Sequence, residues 1–226
     1  MLRLKRPRAP ADFAASVRNA VRDAQAAIAR GVVPKFDERI WKKHEHKEAF
    51  IRAQHGKCAY CEQSSMNHPG AVDHYAPKSE IHELIADGKE KGHTSNVKDR
   101  ETRQICTTGY WWLAYEWSNY RLVCNTLNGR KGDHEDVLDP FTLAPDTFCI
   151  EFTSGRIYPD PVLEAREPVT FAAAEATIRR LRLDDAECRG VRTAHFGDYL
   201  AGDVSADFLR RHSPFVWYEL RRQGLL

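Results

Sequence analysis

The sequence predicts an α+β fold: a small finger of strands and one short helix, set in a mainly helical chain that also carries a β-hairpin. Three observations predict it. Apolar residues recur at helical spacing near both ends of the chain. The middle holds an ordered set of chemistry-bearing residues: Cys58-Ala59-Tyr60-Cys61, then Val72-Asp73-His74, then Asn119 to Cys124 and Asn128-Gly129-Arg130-Lys131-Gly132. Two alternating segments, Thr147 to Thr153 and Arg156 to Tyr158, flank Ser154-Gly155, the pattern of a hairpin with a glycine turn.

The helical elements follow in order. Phe13, Val17, Ala20, Val21, Ala24 and Ile28 predict a helix from Asp12 to Arg30, stopped by Gly31 and Pro34. A second helix is expected from Asp37 to His55, through Ile40, Trp41, Phe50 and Ile51, with Gly56 ending it and delivering the chain to Cys58. Its run Lys42 to Lys47 reads as an exposed polar face, and its histidines, two apart, do not share one side of a helix. A short helix is expected around Glu80 to Glu90, then a polar loop from Gly92 to Arg103. The aromatic run Tyr110 to Tyr115 reads as core packing beside the finger; the alternative is a base-stacking platform. After the hairpin, helices are expected at Thr170 to Leu183, Asp185 to Leu200, Ala206 to Arg211 and Phe215 to Arg222. The last is rich in large apolar residues, so it docks on this chain or on another.

Bulk properties set the class. The chain has 226 residues, 42% hydrophobic and 29% charged, enough for one large or two small domains with a core. There is no apolar run of membrane-spanning length, and the basic start lacks the apolar stretch of a secretory signal. Net charge is +2, unevenly spread: residues 1–60 hold 14 basic and 6 acidic residues, a local +8, leaving −6 for the rest. The basic part could lie along phosphates, or its charges could simply be solvated helix faces. Six cysteines at 58, 61, 106, 124, 149 and 188 are too sparse for a disulfide scaffold, so the expected setting is a reducing cytoplasm.

The middle cluster is where chemistry is expected. His74 has the proton affinity of a general base working near neutral pH. Asp73 offers the hard oxygen that magnesium prefers. Neighbours in a strand face opposite ways, so a shared site calls for a distorted loop, turned by Ala76-Pro77. Asn119 reads as a turn-capping asparagine or as the amide that ties the His74 loop. Asn128 offers a second oxygen ligand. Lys78, Arg130 and Lys131 suit phosphate, the last two at a helix start, or are plain surface residues. Cys58, Cys61 and Cys124 look like three corners of a structural zinc knuckle. Leu127 stands where a fourth cysteine would be expected. Cys106 or a histidine could complete the set, or the thiols could be buried packing residues.

Taken together, Cys58-x-x-Cys61, Asp73-His74, Asn119, Cys124 and Asn128-x-x-Lys131-Gly132 resemble the HNH, or ββα-metal, endonucleases. More narrowly they resemble the HNH subunits of bacterial anti-phage systems, the PtuB-type nuclease of Septu and the retron-associated nucleases. His74-Tyr75-Ala76-Pro77-Lys78, the aromatic run to Asn119, Leu138-Asp139-Pro140 and Ile178 to Leu183 extend the likeness over most of the chain. The resemblance implies an HNH core at 58–140, between an N-terminal helical basic region at 1–57 and a hairpin plus helical region at 141–226 that could dock a partner. It implies His74 as base, Asn119 as its orienting residue, and Asp73 with Asn128 at a magnesium or manganese ion. The implied activity is DNA hydrolysis leaving 5′-phosphate and 3′-hydroxyl ends. The implied partner is an ATPase of the ABC or SMC-like type that restrains the nuclease until infection.

Two other functions fit parts of the sequence. A non-catalytic nucleic-acid or protein-binding module could retain the finger, as the absent fourth cysteine suggests. A redox role for Cys58-x-x-Cys61 leaves Asp73, His74 and Asn119 unexplained.

Overall fold

The structure, a computed structural model, describes residues 1–64, 70–81, 83–84, 90–91, 97–106 and 108–226. The fold is α+β. Its helices are α1 (Phe13–Ala29), α2 (Arg39–Lys42), α3 (His44–Ala53), α4 (Asn125–Lys131), α5 (Val162–Arg166), α6 (Pro168–Leu181), α7 (Ala186–Ala201), α8 (Ala206–His212) and α9 (Pro214–Arg222). Its strands are β1 (Ala71–His74), β2 (Glu83–Leu84), β3 (Glu90–Lys91), β4 (Tyr120–Val123), β5 (Phe148–Glu151) and β6 (Arg156–Pro159), paired antiparallel as β1–β4, β2–β3 and β5–β6. Among the described residues no helix is long and apolar enough to cross a membrane.

The central unit is β1, β4 and α4. His74 lies opposite Tyr120 and Asp73 opposite Arg121. Helix α4 leaves the end of β4 directly, after Cys124. The Cys58–Cys61 turn is laid against β4 by the Ala59 N–H, which donates to the Leu122 carbonyl at 2.9 Å.

Strand β4 divides two cores because its side chains alternate between faces. Tyr120 and Leu122, fully buried, face a core built from Phe13 and Val17 of α1, Trp41, Phe50, Trp111 and Phe141. Val123, with Cys58, Tyr60 and Leu127, faces a second core shared with Phe148 and Ile157 of the hairpin and Leu181, Leu209, Phe215 and Leu220 of the C-terminal helices. The aromatic C-terminal helix α9 therefore docks on this chain, and Leu127 packs as a core residue.

Three expectations change. The helix foreseen from Asp37 to His55 is broken at Lys43, whose backbone is extended (ψ 133°). At the break the Ile40 carbonyl accepts from the Lys43 N–H at 3.4 Å and from His46 Nδ1 at 2.6 Å. His46 is thus buried, edge-on to Phe13, not part of an exposed polar face. Where a helix was foreseen between Glu80 and Glu90, residues 83–84 instead pair with 90–91. Residues 82 and 85–89 of that segment, and 92–96 of the loop foreseen from Gly92 to Arg103, lie outside the described residues. The hairpin and the four later helices form close to their expected bounds, with α5 as an addition.

Candidate functional site

Among the described residues, β1 is paired on one edge only, with β4. Beside β1 lies a cavity of about 560 Å³, walled by Trp41 and Lys42 of α2, by β1, by Lys78, and by Asn128 of α4 with Asp133 beyond it. Asp73, His74, Lys78 and Asn128 thus meet on one cavity although they lie up to 55 residues apart. No distorted loop brings Asp73 and His74 together. They end a regular strand and face opposite ways, and both line the cavity beside β1.

His74 is held on the aromatic face. Its ring stands edge-on to Trp41 at 4.6 Å and to Tyr120 at 5.1 Å. Its Nε2 lies 2.9 Å from the Ala114 carbonyl. A carbonyl only accepts, so Nε2 carries the hydrogen and Nδ1 keeps the lone pair. Burial first, and the Lys78 charge second, push its pKa down to about 3, so the imidazole is neutral.

Asn119 staples the loop that follows His74. Its Oδ1 accepts from the Ala76 N–H at 2.8 Å, and its Nδ2 donates to the Ala76 and Leu113 carbonyls. The same loop is approached closely by Gly109, where a Cβ would fall 2.3 Å from the Pro77 carbonyl oxygen. Only glycine fits there.

Asp73, on the other face, is buried. Its Oδ1 lies 3.2 Å from Lys131 Nζ, and its Oδ2 receives a long 3.4 Å contact from the Tyr60 hydroxyl. Burial pushes its pKa up, and Lys131 pulls it back. Lys131 is fully buried and also donates to the His74 carbonyl at 3.1 Å. It is an internal tether of α4 to β1, so the expected phosphate contact at Lys131 is corrected. Arg130, expected at phosphate, has its guanidinium held by Asp185 at 2.6 Å and by the Leu181 carbonyl, tying α4 to the C-terminal helices. Both residues sit in the last turn of α4, not at its start. Lys78 remains on the cavity, its ammonium 5.1 Å from the Trp41 ring centre. Burial lowers its pKa, while Asp133 and Glu38 oppose that shift.

Sequence reasoning missed Trp41, Asp133 and the Ala114 carbonyl. It also missed Arg121, a fully buried guanidinium in bidentate contact with Asp139 (2.7 and 2.6 Å), which locks β4 to the turn before Phe141. Arg121 sits between apolar residues in a strand pattern, and that misfit was the available signal.

Among the described residues, metal-ligand side chains come together at three cysteines. The Sγ atoms of Cys58, Cys61 and Cys124 all lie within 4.8 Å of one another, a group that could hold a metal ion. Hydrogen bonds from the Cys58 and Cys61 thiols hold the Cys124 pKa well down, whereas burial pushes the Cys58 thiol up. Cys106 stands elsewhere, 3.9 Å from Asp99 and packed against the other core. Comparison with protein-family models, curated proteins and solved structures returns no significant match.

Proposed function

We propose that this chain is a metal-dependent endonuclease of the HNH type, acting on DNA phosphodiester bonds. The observation that carries the reading is His74: its Nε2–H is committed to the Ala114 carbonyl, which leaves the proton-accepting lone pair on Nδ1 of a residue that shares a cavity with Asp73, Lys78 and Asn128. His74 takes a proton from water, and the hydroxide so formed attacks phosphorus in line with the leaving oxygen. The negative charge of the entering phosphodiester raises the proton affinity that burial has depressed. Lys78 meets that charge. Asn119 holds the loop, so the imidazole keeps its aim. Asp73 and Asn128 are hard oxygen donors of the kind magnesium and manganese accept, and such an ion, when bound, would stabilise charge on the leaving oxygen. On the resemblance, an ABC-type or SMC-like ATPase partner would control the nuclease in a cytoplasmic anti-phage complex, with zinc supporting the finger through Cys58, Cys61 and Cys124.

A second reading, a non-catalytic nucleic-acid or protein-binding module, is favoured by one contact. Lys131 already meets the charge of Asp73, leaving less attraction for a cation. Incubation with supercoiled plasmid and magnesium or manganese separates the two. The nuclease reading expects nicking that EDTA stops and that His74→Ala abolishes while the variant keeps the wild-type circular dichroism spectrum. Nicking by His74→Ala at the wild-type rate would overturn it.

A further inference from the structure

We propose that Cys188 is the fourth ligand of a structural zinc site whose other ligands are Cys58, Cys61 and Cys124, so that the metal clamps the C-terminal helices onto the finger. The inference stands apart from the nuclease reading, since it concerns sulfur ligands away from the His74 cavity and is measured as bound zinc.

A trio of thiols leaves tetrahedral zinc one ligand short. The position where local spacing would supply it is Leu127, which is buried in the core. Cys188, 127 residues along the chain from Cys61, is brought to the trio instead. Its Sγ accepts from Nε2 of Gln63, two residues beyond Cys61, at 3.7 Å, and the Cys61 and Cys188 thiols line one narrow cleft with Tyr60, Glu62 and Arg192. Zinc–sulfur bonds of about 2.3 Å place tetrahedral sulfurs roughly 3.8 Å apart. The Sγ atoms of the trio lie within 4.8 Å of one another, and Cys188 stands outside that group, in the cleft at its Cys61 corner. Rotation of the Cys188 thiol to another staggered rotamer is the movement the proposal requires to close the tetrahedron.

The fold holds Cys188 in place from several sides. It sits in the first turn of α7, where the helix N-terminus favours a thiolate. The hairpin turn packs directly on α7: a Cβ on Gly155 would fall 2.5 Å from the Arg189 carbonyl oxygen. Arg192 donates to the Gly155 and Leu183 carbonyls. Arg130 reaches from the finger helix to Asp185, three residues before Cys188. Arg130 and Arg192 also supply positive charge beside Cys188. A zinc ion with four thiolates carries a net charge of about −2, and a buried anion of that kind requires such neighbours. The other two cysteines are engaged elsewhere, Cys106 near Asp99 and Cys149 against Arg222 at 3.1 Å.

The test uses the full chain purified under reducing conditions. Zinc is counted by mass spectrometry, and its ligands by X-ray absorption at the zinc edge. The expected result is one zinc per chain with four sulfurs at about 2.3 Å. Cys188→Ser is expected to weaken zinc binding at least about tenfold, as even the loss of an outer-shell partner does, while Cys106→Ser and Cys149→Ser leave it unchanged. Should Cys188→Ser fail to fold, the absorption spectrum of the wild-type protein decides alone. Three sulfurs with one nitrogen or oxygen, a chain that binds no zinc, or a Cys188→Ser variant with full zinc affinity would each overturn the assignment.

Discussion

Lys131 Nζ lies 3.2 Å from Asp73 Oδ1 and 3.1 Å from the His74 carbonyl oxygen, with Lys131 wholly shielded from solvent. One side chain therefore fixes helix α4 to both residues of the Asp-His pair. Breaking a buried pair by removing one partner leaves an uncompensated charge in low dielectric. Lys131→Met should cost about 3–5 kcal/mol of stability, read from urea unfolding. A loss under 1 kcal/mol would mean that Asp73 finds water or another cation in its place.

Lys78 and Arg130 were both candidates for phosphate, and their settings now differ. Lys78→Ala should weaken DNA binding and lower the salt dependence of log K by about one unit, with little change in stability. Arg130→Ala should do the reverse, because its guanidinium is bound to Asp185 and Leu181. Binding measured by fluorescence anisotropy across a salt series separates them; an altered salt slope in Arg130→Ala would return that residue to the nucleic-acid surface.

Asn119→Ala removes three hydrogen bonds from a buried loop and strands the Ala76 amide groups. A loss of at least about 2 kcal/mol is expected. Amide hydrogen exchange should quicken at Tyr75 and Ala76 in particular. Unchanged exchange there would deny Asn119 its role in holding the His74 loop.

Acid sensitivity follows from His74. Its pKa falls from 6.5 to about 3 on folding. Below pH 6.5 the unfolded chain takes up a proton that the folded chain refuses until about pH 3, so this residue's contribution to stability is present at higher pH and lost as pH falls through that window. In His74→Ala the stability–pH slope between those limits should be shallower, by up to about 1.4 kcal/mol per pH unit. Parallel slopes for both proteins, measured in EDTA, would place the titrating group elsewhere.

Much of the fold was legible before any coordinates. The hairpin around Gly155 and helices α1, α6, α7, α8 and α9 follow from periodicity and breakers, which are local properties. The grouping of Cys58, Cys61 and Cys124 was legible from ordered spacing. The broken helix at Lys43 was not, since only the fit of Trp41 against His74 and of His46 against Phe13 rewards the break.

By itself the sequence determined which chemistry is present: a histidine, a carboxylate, two carboxamides and a set of thiols in a fixed order along the chain. Tertiary structure alone decided who meets whom. Arg130 and Lys131 look identical to surface cations in sequence, yet one is spent on Asp185 and the other on Asp73. Cys188, which the sequence gives no reason to group with the trio, shares a cleft with Cys61. Burial and pairing arise from contacts between residues far apart in the chain, and local pattern carries no record of such contacts.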